Sequence, residues 1–258
     1  MKKRLQELEY FARKFREDNS LSDKEPIRIK SVLQKNDVLT IYRPISEGVS
    51  GMSIKINTVG VENLNAKDVL RFMLVNSNHS VGKQHFTICH ELYHLYFQEN
   101  FSAAISCAGR FDKKGNPEEF NADMFAVFLL LPQWGIYELI PEEERNKNKI
   151  SISTMIAIEQ YYSCSHSALL HRLQNIGLID EAFKQSHLKG VKSFASLLGY
   201  DKRLYESGNH NLVIGNYGTL AYKAWEDGLI SESTYYSLLS DLGVDISKLS
   251  ASNENGED

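Results

Sequence analysis

Near the start of the chain Leu5, Leu8, Ala12 and Phe15 fall on one side of a strongly charged stretch, residues 1–17, which predicts a packed amphipathic helix. A polar connection over Asp18 to Pro26 and a short helix near Ile29 to Gln34 follow. The period then changes. Asp37 to Ile45, Ser53 to Asn57 and Arg71 to Asn76 are rich in β-branched residues and predict three strands forming a small sheet, with a turn between the first two over Ser46 to Gly51. Residues 77–82 make a strand-to-helix turn into a helix over 83–97, whose Ile88, Leu92 and Leu95 form an apolar stripe. A polar loop, residues 98–116, ends in Asn116 as N-cap and Pro117 at the first helical position of a helix that runs to Leu131 and is stopped by Pro132.

The second half reads as helical. Ile156, Ile158 and Tyr162 lead through Ser163, Cys164 and the cap Ser165 to Ala168, Leu169, Leu170, Leu173, Ile176 and Gly177, a helix-turn-helix pattern. Beyond Lys189 glycines punctuate the pattern. Leu220 to Trp225 and Glu232 to Leu242 are predicted helices, the second capped by Ser231, and Asn211 to Gly215 is a short strand or extended segment. The expected class is α+β, a small sheet packed on a helix pair and followed by a mainly helical C-terminal part. Its expected divisions are an N-terminal helix and linker (1–26), a core (27–150), a helix-turn-helix-like segment (151–188), a helical region (189–249) and a disordered acidic tail (250–258).

Composition narrows the function classes. At 258 residues and 42% hydrophobic content the chain can bury a substantial core. A formal net charge of -4 and a pI near 6.1 give no global attraction to nucleic acid or anionic membrane. Cys89, Cys107 and Cys164 form no pairing pattern, and no apolar segment backs the basic start, so a reducing, cytoplasmic setting is expected. The longest apolar run, Met124 to Leu131, is far short of the roughly 20 residues that span a bilayer.

The chemistry lies in His90-Glu91-Leu92-Tyr93-His94. On a helix this spacing sets His90 and His94 one above the other, which suits two imidazole ligands on one zinc ion. Glu91, about 100° further round, can reach a water at the metal without being a ligand and is placed as a general base. A catalytic zinc takes three protein ligands and leaves one position open. Glu119, in the first turn of the helix after Pro117, is the best-placed third ligand, with Glu118 the alternative; Asp123, one turn on, can hydrogen-bond a ligand histidine from behind. His79 and His85 read as polar surface, and Cys89 as a small buried hydrophobe. Tyr93, His166 and His171 are weak candidates for stabilising an oxyanion.

The string Phe86 to His94, followed by Glu119 to Pro132, resembles the ImmA/IrrE family of zinc metallopeptidases, and the resemblance spans about Ile27 to Ile179. It implies a gluzincin-type fold with substrate laid along an edge strand, and proteolysis of a helix-turn-helix repressor or antitoxin encoded nearby in bacteria or mobile elements. By position it implies His90, His94 and Glu119 as zinc ligands and Glu91 as the catalytic carboxylate. The sequence departs from the family's usual basic residue where His85 stands and acidic residue where Asn121 stands.

A competing expectation is a metal-stabilised regulatory module that binds a transcription factor without cutting it; an intact Glu91 favours the enzyme. Direct DNA binding is not expected, because residues 151–180 contain one Arg and no Lys to neutralise phosphates.

Overall fold

A computed structural model describes residues 2–57, 69–112 and 114–243. The expected tail, residues 250–258, and the end of the predicted helical region, 244–249, lie outside the described residues. Five strands form one mixed sheet: β1 (Val38–Arg43), β2 (Gly51–Asn57), β3 (Val69–Asn76), β4 (Ala103–Ser106) and β5 (Val213–Ile214), in the order β4-β2-β3-β1-β5. β1 runs parallel to β3, and the remaining pairings are antiparallel.

Two strands join the three predicted for the small sheet. β4 lies inside the stretch read as a polar loop, and β5 falls within Asn211 to Gly215, where it closes the far edge by pairing with β1. Side chains alternate across the pleat, so one face of the sheet is buried. In its first row Tyr42, Val75, Gly51 and Ser106 are neighbours, and in its second Thr40, Met73, Ser53 and Ala104.

Helix α3 (Val81–Tyr96) lies against β2 and β3 and packs on α4 (Pro117–Leu130). The caps behave as their residue types dictate: Asn116 accepts from the Glu118 amide with Pro117 at the first helical position, and Ser165 accepts from the Ala168 amide. From Asn121 to Leu130 every residue of α4 is buried, because α3 covers one side and the N-terminal helix α1 (Lys2–Asp18) another. Leu8, Ala12 and Phe15 of α1 therefore belong to the same core as Ile88, Leu92 and Phe125, and α1 is built into the body that holds α3.

A helix ends with carbonyls that lack intrahelical partners. Two buried arginines supply them for the last residues before Pro132. Arg16 of α1 donates to the carbonyls of Leu129 (2.6 Å), Ser22 (2.8 Å) and Glu25. Arg172, in α7 (His166–Asn175), donates to the Leu131 carbonyl (3.0 Å) and pairs with Glu9 of α1 (2.8 Å). The short helices α2 (Ile29–Lys35) and α5 (Gln133–Leu139) precede β1 and follow α4, respectively. α6 (Ile152–Tyr162) and α7 are joined by the short turn 163–165, in which Ser163 has φ 53°, and both helices contribute to the core.

The C-terminal part adds α8 (Glu181–Ser186), α9 (Val191–Leu197), α10 (Tyr217–Glu226) and α11 (Glu232–Asp241), the last capped by Ser231. It also touches the start of α3. Gln84, fully buried, donates to the carbonyls of His79 and Gly208 and accepts from the Asn209 amide nitrogen (2.8 Å). No helix among the described residues is long and apolar enough to cross a membrane.

Candidate metal centre

His90 and His94 lie one turn apart on α3, and both are buried to within 1% of full enclosure. His90 and His94 are buried where α4 packs on α3, and Glu91 is buried against β2 and β4. The His90 and His94 Nε2 atoms lie 3.1 Å apart, and Glu119 completes a triangle, one carboxylate oxygen 3.3 Å from His90 Nε2 and the other 3.4 Å from His94 Nε2. Ligands about 2.0–2.1 Å from a tetrahedral zinc sit about 3.3 Å from one another. The separations are of that size, and the three residues can hold a metal ion.

Each imidazole is oriented from behind. His90 Nδ1–H donates to Asp123 Oδ1 (2.8 Å), and His94 Nδ1–H donates to the side-chain oxygen of Gln98. Both Nε2 lone pairs are thereby turned to the centre of the triangle. Asp123 is itself held by the backbone amides of Gly109 and Phe111, each 2.7 Å away, so the loop after β4 fixes the group that fixes His90. Phe101 stacks on His94 with ring centroids 5.5 Å apart.

Burial drives His90 toward the neutral form, but its hydrogen bonds to Asp123 and Glu119 outweigh this and raise its pKa to about 10. Burial likewise pushes Glu119 up, yet the two histidines hold it down to about 2. The pocket thus attracts positive charge. The fit is one of donor type as well as distance, since two imidazoles and a carboxylate are ordinary zinc ligands.

A family model described as the IrrE N-terminal-like domain matches residues 38–174. The chain belongs to the ImmA/IrrE family of metallopeptidases. Among curated proteins no match to the sequence was found. The matched segment runs from β1 to within one residue of the end of α7 and includes the whole His90, His94 and Glu119 cluster, so the enzyme class and the cluster fall on the same residues.

Other residues singled out from sequence lie elsewhere. Glu118 turns away from the cluster and accepts from the Tyr93 hydroxyl (2.7 Å), which in turn accepts from Arg4 (2.9 Å). His166 is bonded to buried Glu159 and to the His187 carbonyl, and His171 stacks on Phe111. His85, expected at the surface, is drawn in by a 2.8 Å contact from its Nδ1 to the Ser163 carbonyl at the α6–α7 turn.

Three features of the centre were missed in the sequence: Gln98 behind His94, and the hydroxyls of Ser53 and Ser106, which both reach Glu91. Gln98 stands four residues after His94, the spacing at which a helical side chain can reach back, and was legible in principle. The serines carried no local signal.

Proposed function

We propose that the protein is a zinc-dependent endopeptidase that cleaves a helix-turn-helix repressor or antitoxin, with His90, His94 and Glu119 as the ligands, Asp123 orienting His90 and Glu91 as general base. The observation that carries this reading is the cluster of His90, His94 and Glu119, whose donor atoms approach one another to 3.1–3.4 Å. A zinc ion bound there supplies Lewis acidity that acidifies water and polarises the scissile carbonyl. Glu91, beside His90 on α3, receives the proton from the attacking water and returns it to the departing amine. Among the described residues β4 ends the sheet on that side, and its outer edge offers a substrate backbone the hydrogen bonds of an added strand.

Native protein and Glu91→Gln are each mixed with a helix-turn-helix repressor encoded beside the gene, and fragments are followed by mass spectrometry alongside transcription from the repressor's promoter. Glu91→Gln keeps its zinc and its association with the repressor while cleavage falls by about 100-fold or more. Equal derepression by both proteins, with fragments from neither, would establish a binding module that does not cut.

A further inference from the structure

Glu91 is fully buried, and an isolated carboxylate in that position would be costly unless donors satisfied it. It has two. Ser53 of β2 donates to Oε2 at 2.6 Å, and Ser106 of β4 donates to Oε1. Both serines are themselves fully buried. The Ser106 hydroxyl has a second acceptor in reach, the Gly51 carbonyl at 3.4 Å, but it has one proton, and the shorter contact is to Glu91.

The sheet is shaped for this carboxylate. A Cβ added at Gly51 would lie 3.1 Å from Glu91 Oε1, 3.0 Å from the Leu74 carbonyl and 2.7 Å from Thr87 Cγ2. Gly51 and Ser106 are paired across β2 and β4, and Ser53 follows two residues along β2 on the same face. Three small inward positions thus make a recess, and the two with side chains offer hydroxyls to Glu91.

We propose that Ser53 and Ser106 are positioning residues that hold the Glu91 carboxylate, one hydroxyl on each oxygen, in the orientation from which it serves as base. This rests on the reading of Glu91 as general base. A carboxylate oxygen accepts two hydrogen bonds, so one from serine leaves a lone pair on each free for the proton of the attacking water. Fixing the group before the reaction removes a reorientation from the barrier.

The test needs no protein substrate. Zinc is replaced by cobalt(II), and binding of acetohydroxamic acid is titrated through the visible spectrum; this ligand chelates the metal and shares its proton with a neighbouring base. Azide, which carries no proton to share, is the control. Ser53→Ala and Ser106→Ala each weaken acetohydroxamate by about ten-fold, the worth of one hydrogen bond to a charged group. Cobalt content and azide affinity stay as in the native protein, and Ser53→Thr, which restores the hydroxyl, recovers most of the loss. If the double alanine variant binds acetohydroxamate as tightly as the native protein while Glu91→Gln binds it poorly, the proposal falls and the base reading stands. If Glu91→Gln also binds like the native protein, the base reading falls and takes the proposal with it. Loss of cobalt or azide binding in the alanine variants, unrecovered by threonine, would mean that the hydroxyls hold the sheet together, and would also overturn the proposal.

Discussion

Arg172 donates its Nε–H to the carbonyl of Leu131, 3.0 Å away, and only 1% of the residue is exposed. It is the one arginine between Ser151 and Ile179, and no lysine accompanies it. The one guanidinium that a helix-turn-helix reading would send to a phosphate is thus committed to the Leu131 carbonyl, Asn175 and Glu9. The expected outcome in fluorescence anisotropy is weak binding to duplex DNA with a shallow salt dependence, because few counterions are released. Tight binding at physiological salt would refute it.

Metal content should grade with distance from the centre. Glu119→Ala removes one of the three donors and loses most of the zinc, whereas Glu118→Ala loses contacts to Tyr93 and Asn121 and keeps it. Asp123→Asn lies between. It weakens the group that orients His90, and outer-shell changes of this kind cost about 10–100-fold in metal affinity. Elemental analysis and competition with a chromophoric chelator give the order; more loss from Glu118→Ala than from Glu119→Ala would overturn the ligand assignment.

Cys89 adjoins a ligand, which invites a redox role, but its environment opposes one. The thiol is fully enclosed, and burial pushes its pKa up to about 12 despite nearby Arg16. Only accessible thiolate reacts readily. Cys89→Ala is expected to keep zinc and activity at a stability cost of about 1 kcal/mol. Peroxide inhibition of the native protein that this variant escapes would show the opposite.

The buried pair of His166 and Glu159 should make stability depend on pH. Burial pulls the imidazole's proton affinity down, but the hydrogen bond to Glu159 and its charge outweigh burial, so the folded pKa lies above 6.5. Folding then binds the proton more tightly than the unfolded chain does. The pair's contribution is fully present below the unfolded value and is lost as pH rises through the raised one. The gap in Tm between native protein and His166→Gln, read by calorimetry, should be wider at about pH 5.5 than at about pH 9. A gap that widens with pH would contradict this sign.

Local signals made part of this legible. The His90 to His94 spacing and the apolar stripe on Ile88, Leu92 and Leu95 identify α3, and the Asn116-Pro117 start with the Pro132 stop delimits α4 and so brings Glu119 into consideration. β4 was illegible because Ala-Ala-Ile-Ser has neither length nor clear alternation; it is a strand because β2 offers it partners. Ser53 and Ser106 were missed for a related reason. A serine joins a site only through which strand passes under which helix, and the separations of 38 and 15 residues to Glu91 are set by sheet register.

The two arginine caps bear on where this enzyme can be cut. Similarity to the family begins at residue 38, yet Arg16, which caps the helix carrying Glu119, lies 22 residues before that boundary, and the whole of α1 precedes it. A fragment trimmed to residues 38–174 would keep every proposed ligand and lose the partner of the Leu129 carbonyl together with the cover of α4. The limits of shared ancestry and the limits of independent folding do not coincide, and a recombinant peptidase domain must start upstream of the first recognisable residue to hold its metal helix in place.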